Sequence, residues 1–382
     1  MLRVLAPLGG ALAVFALTAA AASAVPCGPT TCAPLSSAVP GAGVLLVRPH
    51  GQKGPLVAYD LATARVGARL PEGVPSANGR RFVTASNLIE ATRITSFDTR
   101  TGKKLRSLRL GEWNLKVAAV SADGRFAALV WGTTDPDISI VDLVRGRLVR
   151  KVHLQGTWAV DALSRDGRRL YLIEYGADGS YLVRVHQADR GLVPGAITDP
   201  REPQPMTGTA WSSTGSRDGR WQLTLYLKSG NQAFVHALSL TATHAACIDL
   251  PGGDFVSAGR YALVLSPDGR TLYAANPSLG VVATIDLQQE AVTSTLRFAP
   301  AGADGSTSAA FGAISPDGKT LYFTAGRGVL AYDTGARALR GQYAVGGVGG
   351  IAFDPSGRTV LLVKPDGSTA RLDAKSGAPL AA

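Results

Sequence analysis

The fold is decided by the stretch Ser266-Pro267-Asp268-Gly269-Arg270-Thr271-Leu272-Tyr273-Ala274-Ala275-Asn276. Proline presets the second position of a tight turn and aspartate suits the third, while glycine takes the positive φ that follows a type I turn in a hairpin. The residues from Leu272 to Ala275 form a short run typical of a strand. The stretch therefore predicts a hairpin turn that leads into a β-strand.

The same turn recurs along the chain, with an average step of about 46 residues. Six copies share the pattern Ser-x-Asp/Asn-Gly-basic and begin at Ser76, Ser121, Ser164, Ser216, Ser266 and Ser315. A seventh, degenerate copy runs from Asp354 to Arg358. Such a period is typical of propeller blades and of two-helix solenoid repeats.

A second signature follows most copies, where an apolar strand ends in aspartate. It occurs at Asp98, Asp142, Asp286, Asp333 and Asp373, and a fourth short strand comes after it. No stretch beyond the N-terminal segment has sustained helical periodicity, which excludes a helical solenoid. Four strands in each repeat correspond to one propeller blade.

Two repeats resemble those of the YVTN family of β-propellers. They are Ser266 to Asn276, continuing to Ile285-Asp286, and Ser315 to Thr324 with Tyr332-Asp333. The resemblance covers the chain from about residue 43 and is strongest after 255, whereas the repeats from 164 to 250 depart from it, with His186 and Ser239 near the place of the aspartate. It implies a WD40-like propeller and says little about function.

We therefore expect an all-β fold, a β-propeller of four-stranded antiparallel blades. Seven turns predict seven blades. Two strands precede the first turn, at Val44 to Val47 and at Leu56 to Asp60. We expect them to complete the blade that begins at residue 350, so that N- and C-terminal strands close the ring. The alternative is an eighth, incomplete blade.

The N-terminal residues predict export. A basic start at Arg3 precedes an apolar run from Val4 to Ala20, and Ala22-Ser23-Ala24 is a small-x-small cleavage site. We expect a signal peptide at 1–24, a Pro/Ser-rich linker at 25–42, a propeller domain at 43–382, and a secreted or extracytoplasmic location. An uncleaved membrane anchor is the alternative.

Three cysteines and the net charge bear on the environment of the mature chain. Cys27 and Cys32 have a spacing that suits a local disulfide in an oxidising compartment, which leaves Cys247 single; the alternative is that all three are free. The formal net charge is +11, with no run of five basic residues. Export and the lack of a recognition motif exclude nucleic-acid binding. Association with acidic envelope polymers or lipid headgroups would need a contiguous basic face.

The sequence contains no catalytic constellation. Five histidines occupy unrelated places in their repeats, and Cys-x-x-Cys-His, the haem attachment motif, does not occur. The recurring aspartates are interpreted as turn residues, since a catalytic residue need occur only once. We expect no cofactor and no metal site.

Binding is expected where the repeats differ, on the face formed by the loops between second and third strands and by the connections between blades. Indole rings beside carboxylates could hold a sugar, a peptide or a cationic group there. The candidate residues are Trp113, Asn114, Trp131, Asp135, Asp137, Trp158, Glu174, Tyr175, Asn276 and Arg327. The alternative is that Trp113 and Trp158 pack between blades. The insertion from Gly191 to Trp211 is expected to form a flap on this face.

These features favour an exported, monomeric, non-enzymatic interaction or ligand-binding module. Its partner would be a protein, peptide or glycan of the cell envelope. The alternative is a propeller enzyme, a lactonase-like hydrolase or a quinoprotein-type dehydrogenase, with its site at the central funnel.

Overall fold

The computed structural model describes residues 36–39, 43–48, 55–301 and 310–381. These residues form eight four-stranded antiparallel sheets, each built from four strands that are consecutive in sequence. Each sheet is one blade of a β-propeller. A short helix, α1 (Phe255–Ala258), lies in the connection between blades 5 and 6.

The first four blades contain, in chain order, β1 Ser36–Val39, β2 Val44–Val47, β3 Leu56–Asp60, β4 Val66–Leu70, β5 Val74–Pro75, β6 Arg81–Leu88, β7 Ala91–Asp98, β8 Lys104–Leu110, β9 Lys116–Val120, β10 Phe126–Trp131, β11 Asp137–Asp142, β12 Arg147–His153, β13 Thr157–Leu163, β14 Arg169–Tyr175, β15 Tyr181–Gln187 and β16 Gly191–Leu192. The last four contain β17 Thr209–Gly215, β18 Trp221–Lys228, β19 Gln232–Ser239, β20 His244–Leu250, β21 Ala262–Leu265, β22 Thr271–Asn276, β23 Val281–Asp286, β24 Ala291–Arg297, β25 Gly312–Ile314, β26 Thr320–Ala325, β27 Gly328–Asp333, β28 Ala338–Ala344, β29 Gly350–Phe353, β30 Thr359–Val363, β31 Thr369–Asp373 and β32 Pro379–Leu380.

The prediction of seven blades is wrong, and so is the prediction that strands from the two ends of the chain share a sheet. Strands β1 to β4 pair only with one another, in a complete first blade. Strands β29 to β32 form a separate eighth blade. Among the described residues, no sheet combines strands from both ends.

Counting the recurring turn misses the first blade, because the inner hairpin of that blade lacks this turn. The segment Pro40-Gly41-Ala42-Gly43 has neither the serine nor the aspartate of the other turns. Blade 1 nevertheless keeps one backbone hydrogen bond of the repeat. The amide of Leu61 donates to the carbonyl of Gly43 (2.9 Å), just as the amide of Leu287 donates to the carbonyl of Arg270 in blade 6 (2.9 Å). Strand β1 itself lies within the segment predicted to be a linker.

Apolar side chains fill all eight interfaces between consecutive blades, including the interface of blade 8 with blade 1. Side chains alternate along a strand, so both sides of a blade are buried. In β2, Val44 and Leu46 face blade 2, while Leu45 and Val47 face blade 8. The first strands of neighbouring blades approach one another, which identifies them as the inner strands.

A hydrogen-bond network fixes each of the six Ser-x-Asp/Asn-Gly turns. In blade 6 the Ser266 hydroxyl donates to Asp268 Oδ1 (2.6 Å) and accepts from the amide of Thr271 (2.9 Å). The amide of Arg270 donates to the same carboxylate oxygen (3.1 Å). Gly269 has φ +71°, a conformation that glycine adopts without strain. The two side chains thus satisfy the backbone amides that the turn leaves without a ladder partner.

The seventh turn, in blade 8, makes the same network with the two side chains exchanged. The Ser356 hydroxyl donates to Asp354 Oδ2 (2.7 Å) and accepts from the amide of Arg358 (3.3 Å). The amide of Thr359 donates to Asp354 Oδ1 (3.1 Å), which takes the place of the serine oxygen in the other turns. The degenerate sequence therefore keeps the chemistry of the repeat.

The aspartates that end third strands cap the following turn. Asp142 Oδ1 accepts from the amides of Val144 (3.0 Å) and Arg145 (2.9 Å), and Asp286, Asp333 and Asp373 make the same pair of contacts. These residues are structural, as the repeat predicted.

The propeller has two faces because the strands of each blade alternate in direction. The lower face carries the turns that join first to second and third to fourth strands. The upper face carries the loops between second and third strands and the connections between blades.

We expect Ser266 and Asp268 to be exchangeable as a pair. Ser266→Asp alone places two carboxylates in one turn, and Asp268→Ser alone removes the carboxylate that orients the hydroxyl, so each should lower the free energy of unfolding by about 1–3 kcal/mol. The double exchange reproduces Asp354-Pro355-Ser356 and should return to within about 0.5 kcal/mol of the parent. Denaturant unfolding of the four proteins measures this. A double variant no more stable than the worse single variant would contradict the exchange.

Candidate functional site

Exposed aromatic rings identify the upper face as the candidate site. Among the described side chains, three aromatic residues are exposed: Trp113 (58%), Trp131 (49%) and Phe255 (48%). Trp113 lies between β8 and β9, Trp131 ends β10, and Phe255 lies in α1. All three positions belong to the upper face.

Trp113 lines a broad, shallow depression of about 1060 Å³. Ile89, 89% exposed, lines the same depression from the loop between β6 and β7. The connection that carries Trp113 is held in place, because Thr92 Oγ1 donates to the carbonyl of Glu112 (2.7 Å) and the Asn87 amide donates to Asn114 Oδ1 (3.0 Å). The exposed ring therefore has an ordered support.

The predicted residues of blade 3 also lie together on the upper face. Trp131 pairs with Asp137 across the β10–β11 ladder, and the Asp137 carboxylate contacts His153 Nδ1 (2.9 Å). Asp135 and Gly156 exchange hydrogen bonds, one from the amide of Asp135 to the Gly156 carbonyl (2.7 Å) and one from the Gly156 amide to Asp135 Oδ1 (2.7 Å). The loop behind Trp131 is thereby fixed to the connection between blades 3 and 4.

Trp158 is a core residue. It is 4% exposed, packs in the cluster between blades 3 and 4, and donates from Nε1 to the carbonyl of Gln155 (2.7 Å). The alternative interpretation, packing between blades, therefore holds for Trp158 but not for Trp113. The two residues look alike in sequence because both lie near the start of a first strand. Trp113 lies three residues before β9, and Trp158 is the second residue of β13.

Glu174 and Tyr175 end β14 and do not line the depression beside Trp113. The Glu174 carboxylate forms an ion pair with Arg184 in the same blade. Tyr175 is half-buried, with its ring 6.1 Å from that of Tyr181. Glu174 is thus paired within blade 4, and Tyr175 packs against the cluster between blades 4 and 5.

Asn276 is structural, whereas Arg327 is exposed. The fully buried Asn276 donates from Nδ2 to the carbonyl of Ser257 (2.8 Å) and accepts from the amide of Leu279 (3.0 Å). Arg327 lies in the tight loop between β26 and β27, and its backbone carbonyl accepts from the amide of Gly346 (2.9 Å). All predicted residues lie at the upper ends of their blades, but Trp158 and Asn276 are buried, so only part of the set is available on the upper face.

Phe255 was not predicted from the sequence. Its ring meets Trp211 edge-on at 5.3 Å, and Trp211 Nε1 donates to the carbonyl of Gly259 (2.6 Å). Asp254 caps the helix by accepting from the amides of Val256 and Ser257. The available signal was an apolar pair, Phe255-Val256, directly after Pro-Gly-Gly-Asp and outside any strand pattern.

A stack of buried aromatic rings occupies the interface between blades 4 and 5. Tyr181 stacks on Tyr226 with ring centroids 5.4 Å apart, and Tyr226 stacks on Phe234 at 5.2 Å. His236 meets Tyr226 edge-on at 6.1 Å, and burial lowers the pKa of His236 to about 4. This imidazole is therefore neutral at physiological pH.

Asp161 is a buried carboxyl at the same interface. It is the extra residue of a β-bulge in the inner strand β13, between Val160 and Ala162. Burial raises the pKa of Asp161 to about 7, and Tyr175 and Tyr226 lie close enough to interact with its charge. A carboxyl that titrates near neutrality can donate or accept a proton, and such groups are often found at functional sites. A single aspartate within an apolar strand gave no such signal in the sequence.

The insertion after β16 runs along the outer edge of the propeller and forms no flap on the upper face. Its backbone continues the fourth strand of blade 4, with the amide of Ile197 donating to the carbonyl of Val183 (2.7 Å). Although burial raises the pKa of Asp199, hydrogen bonds from Arg201 and from the Cys247 amide bring it to about 2. The insertion is thereby attached to blade 5.

Several predictions fall on other parts of the chain. The signal peptide, Cys27 and Cys32 lie outside the described residues. Cys247 is half-buried and its thiol is free, with a pKa that burial raises to about 12. Within the described ranges no group of three or more His, Cys, Asp or Glu could hold a metal ion, and no helix has the length and apolarity needed to cross a bilayer.

Comparisons with known proteins identify the fold and no family. No protein-family model matches the chain, and no curated protein matches it. Among solved structures, the chain is similar to dihydro-heme d1 dehydrogenase NirN in complex with DHE, with a TM-score of 0.55 and 19% identity over 91% of this chain and 74% of that one. It is also similar to a eukaryotic initiation factor, with a TM-score of 0.54 and 14% identity over 91% and 86%. A third similar structure is the Cps50 (Swd1) β-propeller domain of Myceliophteria thermophila, with a TM-score of 0.43 and 12% identity over 78% and 94%. At these identities the chain shares a β-propeller fold with proteins of different kinds.

We expect Asp161 to impose a pH dependence on stability. Its pKa in the folded chain, about 7, exceeds the usual unfolded value near 4, so the folded state binds more protons and loses stability as pH rises from about 4 to 7. Asp161→Asn should be more stable than the parent at pH 8 by on the order of a few kcal/mol and equal to it at about pH 4. Thermal unfolding across this range measures the difference, with the exposed Glu90→Gln as control. Parallel curves for Asp161→Asn and the parent would contradict the assignment.

Proposed function

We propose that this chain is an exported, monomeric, non-enzymatic binding module of the YVTN-repeat type that holds a protein partner of the cell envelope on its upper face. The observation that carries the proposal is that the three exposed aromatic residues among the described side chains all lie on that face. Exposed Trp and Phe are costly in water and are enriched among residues that dominate binding energy.

The contacts that fix the position of these three rings favour binding. Trp113, Trp131 and Phe255 each stand on a loop fixed by hydrogen bonds or ring contacts to a neighbouring element. A partner that buries such rings loses little conformational freedom in the module, because the loops are already ordered. The upper face is therefore preorganised for association.

The size and shape of the face favour a macromolecule over a small ligand. The rings belong to blade 3, to the connection between blades 2 and 3, and to the connection between blades 5 and 6. The depression beside Trp113 is broad and shallow, whereas small-molecule sites are concave and enclose most of the ligand. A protein surface can contact several blades at once.

The partner is tested with two matched triple variants. Trp113→Ala/Trp131→Ala/Phe255→Ala removes the exposed rings of the upper face. Val66→Ala/Leu105→Ala/Val149→Ala removes exposed apolar side chains from the outer strands β4, β8 and β12, and so controls for lost apolar surface.

We expect the upper-face triple variant to lose the partner that co-purifies with the parent from the producer's envelope and that mass spectrometry identifies. With that partner purified, titration calorimetry should show at least about a tenfold loss of affinity, since an anchoring ring contributes more than about 1 kcal/mol. The control variant should bind as the parent does. Equal affinity in all three proteins would contradict the assignment of the face, and thermal unfolding checks that each variant is folded.

Export has its own readout. The secreted chain should begin at Val25, and non-reduced material should contain a Cys27–Cys32 disulfide, because the signal peptide delivers the chain to an oxidising compartment. Intact-mass and peptide mass spectrometry measure both. A chain that retains Met1 would contradict cleavage, and alkylation of all three thiols under denaturing conditions would contradict the disulfide.

A further inference from the structure

Charge is segregated between the two faces of the propeller. The described residues of the lower-face turns, together with the strand residues that flank each turn, include 20 Lys and Arg against 14 Asp and Glu. The same count for the loops and connections of the upper face, apart from the insertion 193–208, gives 7 basic against 8 acidic residues. The chain as a whole is basic, at +11, and of the two faces only the lower one has an excess of positive charge.

The basic residue that follows glycine in each recurring turn is the regular component of this charge. The turn uses only its backbone: the amides of Arg80, Arg270 and Lys319 donate to the side chain two residues earlier. Turn geometry therefore does not require a charged side chain here, yet all seven turns have Arg or Lys. Six of the seven side chains are exposed, and Arg125 is half-buried.

Most of these cations are not neutralised by a close carboxylate. Arg125 forms an ion pair with Asp142, Arg168 with Asp189 and Arg220 with Asp218. The other four, Arg80, Arg270, Lys319 and Arg358, have no carboxylate of the described chain within 4 Å. In the turns of Arg270 and Lys319, Oδ1 of Asp268 and of Asp317 accepts from the serine hydroxyl and from a backbone amide of the turn.

The lower face is also regular. Seven of its inner turns have the same length and the same backbone hydrogen bonds, so their basic side chains start from equivalent positions on consecutive blades. None of the exposed aromatic residues in the described chain lies on it. Equivalent cations on consecutive blades, without aromatic anchors, match an extended array of anions better than they match a single ligand.

We propose that the lower face docks on an anionic lipid surface. Basic side chains near such a surface are each attracted by its negative potential, and the attraction falls off within a Debye length. Docking of this kind is electrostatic and reversible, and it leaves the upper face directed away from the lipid. The proposal does not depend on the upper-face function, which concerns other residues.

Two charge-reversal pairs separate the lower face from the overall charge. Arg270→Glu/Lys319→Glu changes the lower face, and Arg327→Glu/Lys364→Glu changes the upper face by the same amount of charge. None of the four residues forms an ion pair with a described carboxylate. Both variants should unfold at the parent's temperature.

Binding is measured by co-sedimentation with vesicles of phosphatidylcholine that contain about one third phosphatidylglycerol, and with pure phosphatidylcholine. The parent should bind only the anionic vesicles and lose at least about tenfold in affinity when salt rises to about 0.5 M. The lower-face pair should bind at least about tenfold more weakly than the parent, and the upper-face pair within about threefold of it.

Three outcomes would overturn the proposal. Equal losses in the two variants would show that net charge alone drives binding. Equal binding to neutral vesicles would show that lipid charge is not recognised. Preferential capture of a soluble sulfated polysaccharide over anionic vesicles at matched charge would assign the face to a polymer.

Discussion

The rest of the structure depends on a turn in which one hydroxyl and one carboxylate satisfy the backbone amides of an inner hairpin. The serine oxygen bridges the carboxylate and the first amide of the next strand, as Ser266 does between Asp268 and Thr271. Because the turn fixes the first two strands of a blade, it also fixes which residues face the neighbouring blades. The lower face is uniform for this reason, and variation is left to the upper face.

The departures from the repeat occur together. Blades 4 and 5 lack the aspartate that caps the third strand elsewhere, with Gln187 and Ser239 in its place. Their interface has instead the stack of Tyr181, Tyr226 and Phe234 and an outer insertion that hydrogen-bonds to both blades. In blade 5 the Ser239 hydroxyl still accepts from the amide of Ala242 (3.1 Å), whereas blade 4 has Gln187 at this position beside the aromatic stack and the added backbone pairing. The same two blades hold Asp161, so the least regular part of the ring is also the part with an unusual acid.

The sequence was sufficient for the fold class because the turn signal is local, being contained in five residues. It was insufficient for the blade count, since Pro40-Gly41-Ala42-Gly43 joins two strands without that signal. Exposure of the candidate tryptophans could not be predicted either. Trp158 is buried because it packs against side chains of the neighbouring blade 3, whereas Trp113 is exposed. Such contacts between blades exist only in the folded chain. The environment of Asp161 depends likewise on Tyr226, 65 positions away in the printed sequence.

The junction between blade 8 and blade 1 has a consequence for the order of the blades. It is made by side-chain packing and by the Tyr59 hydroxyl, which donates to the carbonyl of Gly367 (2.9 Å), and every blade is a contiguous segment. The step from β32 to β1 is then equivalent to any other step from an outer strand to the next inner strand, and such a step takes as few as three residues, as at 71–73 and 154–156. No blade is structurally the first. A circularly permuted chain, joined at the present ends and opened at another connection, keeps every strand pairing of the propeller.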